Sequence, residues 1–197
     1  MSSPGVVLGS AIGAMAVAIG LPTASVAQQP VVIPVEPPTR LEAFMARDGV
    51  VMISGSSRVG AVRSEPGTLI AVASRELTDA QSGERAIGLA VEVRGVERRD
   101  PDRVSYVDLE EIPPLLAALE YMSKLDRTAT SLDRFEAHYA TRGGLVISVF
   151  DAGFGMKGSL SSGLAGTATT EMEFGEFQRF RQLLQVAYDG LKTLREQ

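Results

Sequence analysis

The chain has no cysteine and no tryptophan. Without cysteine there are no disulfides, no thiolate metal sites, no cysteine nucleophile and no lipid-modified cysteine. Histidine occurs once, as His138. A zinc site would therefore need carboxylates for its other ligands, and none cluster in a ligand pattern. Lysine is scarce: Lys124, Lys157 and Lys192 are the only three among 19 basic residues. Arginine suits pairing with carboxylate or phosphate, although codon usage produces the same bias. The net charge of −5 argues against nucleic acid, or an anionic membrane surface, as a bulk electrostatic partner.

Basic residues are missing altogether from the first 39 positions, where Glu36 is the only charge. What is there is an apolar run from Val6 to Leu21, then the small residues Ala24-Ser25-Val26-Ala27. This layout predicts a signal peptide over residues 1–27, cleaved after Ala27. The absent basic n-region leads us to expect a translation start further upstream. The apolar run is 16 residues long, short of the ~20 that span a bilayer. A cleaved signal is therefore expected rather than an anchor, with membrane contact only if the segment stays uncleaved. Residues 28–40 carry Pro30, Pro34, Pro37 and Pro38 and read as a Pro-rich linker. Residues 41–197 then form one domain, long enough to fold without metal or disulfide. Export without cysteine points to a bacterial envelope, periplasmic or extracellular.

The domain reads as α+β, built from antiparallel meanders and two amphipathic helices. Leu41–Arg47 reads as a short helix. Val50–Ser54, Val59–Arg63, Thr68–Leu77, Ala86–Val96 and Val104–Leu109 read as strands. Glu65-Pro66-Gly67 and Asp100-Pro101-Asp102 read as turns between them. A helix begins between Glu110 and Pro113 and ends near Leu125. Ile112, Leu115, Leu116, Leu119 and Met122 form its apolar face, and Pro113-Pro114 sit in its first turn. Strands Phe135–Thr141, Leu145–Phe150, Lys157–Ser162 and Thr167–Glu173 follow, then a helix from about Gly175 to Arg195. The halves overlay at an offset of 65 residues, with Ile112, Leu115 and Leu119 on Phe177, Phe180 and Leu184. Two readings stay open. One is a duplicated strand-helix unit. The other is the generic likeness of any strand that leads into an amphipathic helix.

Tyr106-Val-Asp-Leu-Glu-Glu-Ile, Ala117-Ala-Leu-Glu-Tyr-Met-Ser-Lys-Leu and Phe135-Glu-Ala-His-Tyr-Ala-Thr-Arg-Gly-Gly-Leu together resemble a bacterial family of uncharacterised exported proteins. That resemblance covers residues 90–195 and implies export, with no assigned activity. The order of elements is also similar to the whirly and PC4-type folds, which bind single-stranded DNA. That binding needs a basic sheet with stacking aromatics, whereas this chain is acidic, has no tryptophan and reads as exported, so only the topology carries over.

No assembled catalytic or cofactor motif occurs. GxSxG and SxxK are absent. Gly153-Phe154-Gly155-Met156-Lys157-Gly158 fits GxGxxG, but a dinucleotide site needs a helix to begin there. The following glycines, serines and threonines predict a loop or hairpin instead. Asp108, Glu110, Glu111, Glu173 and Glu176 read as helix-start acids. In strand Phe135–Thr141, alternation puts His138 on one face with Glu136 and Arg142. His138 is then a candidate base oriented by Glu136, or an ordinary polar-face residue. Phe154 and Met156 on the glycine-rich loop are candidate contacts for a protein or envelope lipid, or else fold back on the core. We therefore expect a non-enzymatic binding or interaction domain of the cell envelope, with a protein or small ligand as partner. The alternatives are a carboxylate- or histidine-dependent hydrolase and a homo-oligomeric structural protein joined through an open sheet edge.

Overall fold

The computed structural model describes residues 37–64, 67–94, 103–163 and 168–196. The expected signal segment, the Asp100-Pro101-Asp102 turn and most of the Pro-rich linker lie outside these residues.

Alternating apolar residues build two antiparallel meanders. The first sheet is β1 (Met52–Arg63), β2 (Leu69–Asp79), β3 (Arg85–Arg94) and β4 (Arg103–Asp108), in that order. A 3-10 turn, Leu109–Glu111, leads into helix α2 (Ile112–Met122), with prolines in its opening turn as expected. The second sheet repeats the order with β5 (Glu136–Ala140), β6 (Val146–Asp151), β7 (Met156–Ser162) and β8 (Ala168–Glu173). Helix α3 (Phe174–Arg195) closes the chain, and the short helix α1 (Arg40–Met45) precedes β1. The α+β class read from the sequence is the class observed.

One reading needs correction. Val50–Ser54 and Val59–Arg63 are not separate strands. They join into β1, because Gly55, Ser56 and Ser57 pair in register with Glu76, Arg75 and Ser74 of β2. The backbone ladder holds this segment although it has no apolar pattern to announce it. A register shift between Arg58 and Gly60 marks a β-bulge.

The two halves share strand order and exchange their helices. Helix α2 packs on β5, and α3 packs on β1 and β2 as well as on β7 and β8. Between the sheets lies one core. Val72, Leu89 and Val91 come from the first sheet, Ile147 and Leu160 from the second. From the helices, Leu115, Leu119, Phe177, Phe180 and Leu184 are buried in the same core. The offset seen in the sequence now has a physical meaning. Ile112, Leu115 and Leu119 are fully buried, and so are Phe177, Phe180 and Leu184. Burying each such side chain contributes about 1.5–3 kcal/mol relative to exposure. Where the sheets meet, the Ser105 and Ser162 hydroxyls are 3.0 Å apart and those of Ser64 and Thr170 are 2.5 Å apart. Pairing satisfies hydroxyls that would otherwise be costly to bury.

Helix α1 covers part of the opposite face of the first sheet. Leu41 and Phe44 pack on Leu77 and Ala86, with Met52 and Tyr106 at the margin. Gly88 makes this approach feasible: a Cβ there would stand 2.8 Å from Leu41 Cδ1 and 2.3 Å from the Val107 carbonyl.

Candidate functional site

The outer face of the first sheet is only partly covered. Beyond α1 it opens into a cleft of about 250 Å³. The floor is made of small residues. Ala71 and Ala90 are buried there, and Ala73 lies between Arg58 of β1 and Ala90 of β3. Arg75 is flanked by Ser56 on one side and Gly88 on the other. These small neighbours leave room above the strands. Arg58, Arg75, Arg94 and Glu92 form the walls.

The charges in this cleft do not cancel. Arg94 Nη2 donates to Glu92 Oε2 at 2.7 Å. Arg58 and Arg75 make no ion pair among the described residues. The Arg75 Nε–H is buried and has no acceptor among the described residues. A buried donor left unsatisfied costs about 1–3 kcal/mol, more when it belongs to a charged group. An anion carrying phosphate or carboxylate oxygens supplies the missing acceptor, and the planar guanidinium fork matches those groups in geometry.

Other charged clusters are paired to differing degrees. Arg142 lies 3.5 Å from Asp108, 3.4 Å from Glu110 and 3.6 Å from Glu111. Partial burial pulls its pKa down, but the hydrogen bond to Glu110 and the charges of Glu111, Asp108 and Glu110 outweigh this and raise it. The arrangement clips the β5–β6 turn to the start of α2. Gly143 beside it approaches so closely that a Cβ would sit 1.9 Å from the Tyr106 carbonyl. Another hollow, of about 300 Å³, is lined by Arg40, Arg85, Arg195 and Glu110. There Arg85 is paired with Glu76, and Arg40 and Arg195 point from the surface.

The residues singled out from the sequence fall into three separate places. Glu136 and His138 share an exposed face of β5, while Ala137 and Tyr139 turn inward. His138 lines none of the cavities described in this section. Arg142 does not continue that face, because β5 ends at Ala140 and Arg142 belongs to the turn. Phe154 is fully exposed at the β6–β7 turn, where Gly153 and Gly155 have positive φ. Met156 is half-buried against the core, and with Phe154 and Phe150 it lines a hollow of about 560 Å³. Gly158 stands within β7, so the GxGxxG stretch runs from turn into strand and starts no helix.

Sequence reading missed the arginine cleft. Its residues come from three strands, and only strand register brings Arg58, Arg75 and Arg94 to one face. One local sign existed: alanine replaces the larger apolar residues at alternate positions Ala71, Ala73 and Ala90. Among the described residues no group of three or more acids or histidine is placed to hold a metal ion. No helix among them is long and apolar enough to cross a membrane. Compared with protein-family models, curated proteins and solved structures, the chain matches none.

Proposed function

We propose that this chain is a non-enzymatic binding domain that captures an anionic group, phosphate or carboxylate, in the arginine cleft of its first sheet, and that it works in the bacterial cell envelope after export. The observation that carries the reading is Arg75. Its half-buried guanidinium stands over an alanine floor, and among the described residues it has no ion pair and its Nε–H lacks an acceptor. Arg58, two pairing positions away on β1, supplies a second cation with no ion pair among the described residues. The signal-like segment over residues 1–27 supports the location.

The test is titration with inorganic phosphate, pyrophosphate and citrate, read by calorimetry and thermal shift. Ligand at a hundredfold its Kd stabilises the fold by about 2.7 kcal/mol. Arg58→Ala and Arg75→Ala should each weaken binding at least tenfold, and binding should fall with added salt. Absence of any saturable shift with all three anions overturns the reading. Cell fractionation tests export separately, and a protein retained in the cytoplasm with residues 1–27 intact overturns that part.

A further inference from the structure

The first sheet ends in a strand whose N-terminal half is uncovered among the described residues. Residues Ile53 to Arg58 of β1 are exposed without interruption, and among the described residues β1 pairs with β2 alone. Natural edge strands are usually blunted by charge, proline, a bulge or a covering element. Met52–Ser57 contains no charge and no proline. Its pairing with β2 is regular up to Arg58, and the bulge comes only after it. Val51 and Ile53 expose more than half their surface here, at 63% and 58%. The other edges differ. β8 presents Glu171 and Glu173, β5 presents Glu136 and His138, and β4 is six residues long and begins at Arg103. This edge thus lacks the acidic residues that give the chain its net charge of −5.

We infer that β1 pairs antiparallel with β1 of a second copy of this chain, joining two four-stranded sheets into one continuous sheet. Charge matching favours a twin as the occupant: an uncharged segment meets its own copy without repulsion, whereas most of the surface would repel. Parity then restricts the register. Opposed residues of an antiparallel pair point to the same face. In β1, Ser56 and Arg58 face the cleft side with Arg75 and Ala73, while Ser57 faces the core side with Ser74. A twofold axis must therefore pass through a residue and not between two. The midpoint of the bulge-free run Met52–Arg58 is Gly55. With the axis there, Ile53 opposes the second copy's position 57, Ser54 opposes position 56, and the two Arg58 side chains stay apart. The axis stands perpendicular to the sheet, so both arginine clefts open on one side. A strand pair of this length is small for an interface, so dissociation at about 1–100 μM is expected.

The experiment uses protein expressed from the full coding sequence, with its mass measured by light scattering across 1–200 μM. A concentration-dependent dimer is expected. Ile53→Lys with Ser57→Lys puts lysines opposite each other at two exposed positions that line no part of the cleft. This variant should be monomeric at every concentration, with unchanged circular dichroism and anion titration. The chain has no cysteine, so Gly55→Cys introduces a single thiol. Its Cβ meets Glu76 at an ordinary 3.8 Å. Mild oxidation should link Gly55→Cys into dimers, while Ser82→Cys on the β2–β3 turn should not link. A monomer at all concentrations, a dimer that survives the two lysines, or equal linking of both cysteine variants overturns the pairing. None of these outcomes bears on anion binding, which is read separately.

Discussion

Asp108 at the end of β4 caps helix α1: its Oδ2 accepts the Arg40 backbone N–H at 2.8 Å and its Oδ1 that of Leu41 at 3.2 Å. Sequence proximity casts Asp108 as a starting acid for α2. The fold uses it 68 residues away instead, and it makes no side-chain cap to the 3-10 turn that follows it. Thr39 adds the local cap, accepting from the Glu42 N–H at 3.1 Å. With Asp108 only 1% exposed, Asp108→Ala leaves two backbone donors and part of the Arg142 charge uncompensated. The expected loss is about 2–3 kcal/mol in denaturant unfolding. Amide exchange should rise first in Arg40–Met45. Asp108→Asn, which keeps an acceptor, should cost less.

The clip between the halves is a matter of shape as well as charge. Gly143 is pressed against Tyr106 so closely that any side chain must displace the strand. Gly143→Ala is expected to destabilise by about 3 kcal/mol. Arg142→Ala, on an exposed side chain, should cost no more than about 1 kcal/mol. Thermal melts of the two variants separate these terms. Equal losses would show that charge, not close approach, holds the turn.

Much of the architecture is legible from local pattern, because strand alternation and helical spacing are local properties. The helix faces built on Leu115, Leu119, Phe180 and Leu184 are visible in the sequence and are buried as their spacing predicts. The Glu173–Glu176 capping box of α3 is local too, and it is present. Long-range register is not local. Gly55-Ser56-Ser57 carries no apolar signal and becomes strand only because β2 pairs with it. The same holds for the cleft, since Arg58, Arg75 and Arg94 are ordinary polar-face residues until register places them together. Alternation carried past the end of β5 groups Arg142 with His138, whereas the acids that bind Arg142 lie at the end of β4 and in the 3-10 turn.

Arg75 sets stability against binding. Its buried Nε–H lacks an acceptor among the described residues, so on the proposed reading the free protein bears a desolvation cost that a ligand relieves. Arg75→Met keeps the stem and removes the charged head. This variant should be as stable as the parent or gain up to about 1 kcal/mol, while saturable anion binding is lost. Arg94→Met should behave differently, because it leaves Glu92 without its 2.7 Å partner. Paired melting and titration curves check both. A strongly destabilised Arg75→Met would mean that the guanidinium serves packing and not a ligand.

Acid should weaken the fold through carboxylates that it holds below their ordinary pKa. Asp79 is lowered from 3.8 by hydrogen bonds from the Gln81 N–H and from Ser82, with Arg47 adding a smaller effect. Glu120 is lowered from 4.5 by Lys124, its neighbour one turn on, and by Arg181, which ties α2 to α3. A folded pKa below the unfolded one means the ionised group stabilises the fold above the unfolded value. That contribution is lost as pH falls through the folded pKa. Melting temperature should therefore hold between pH 5 and 7 and fall progressively below about pH 4. The two groups separate by salt. The Asp79 side chain is 8% exposed and that of Glu120 is 44% exposed, so added salt should erase the Glu120 share and leave that of Asp79. Asp79→Asn should flatten the acid limb at high salt, and Glu120→Gln should flatten it only at low salt. An acid limb unchanged by Asp79→Asn would show that other carboxylates govern it.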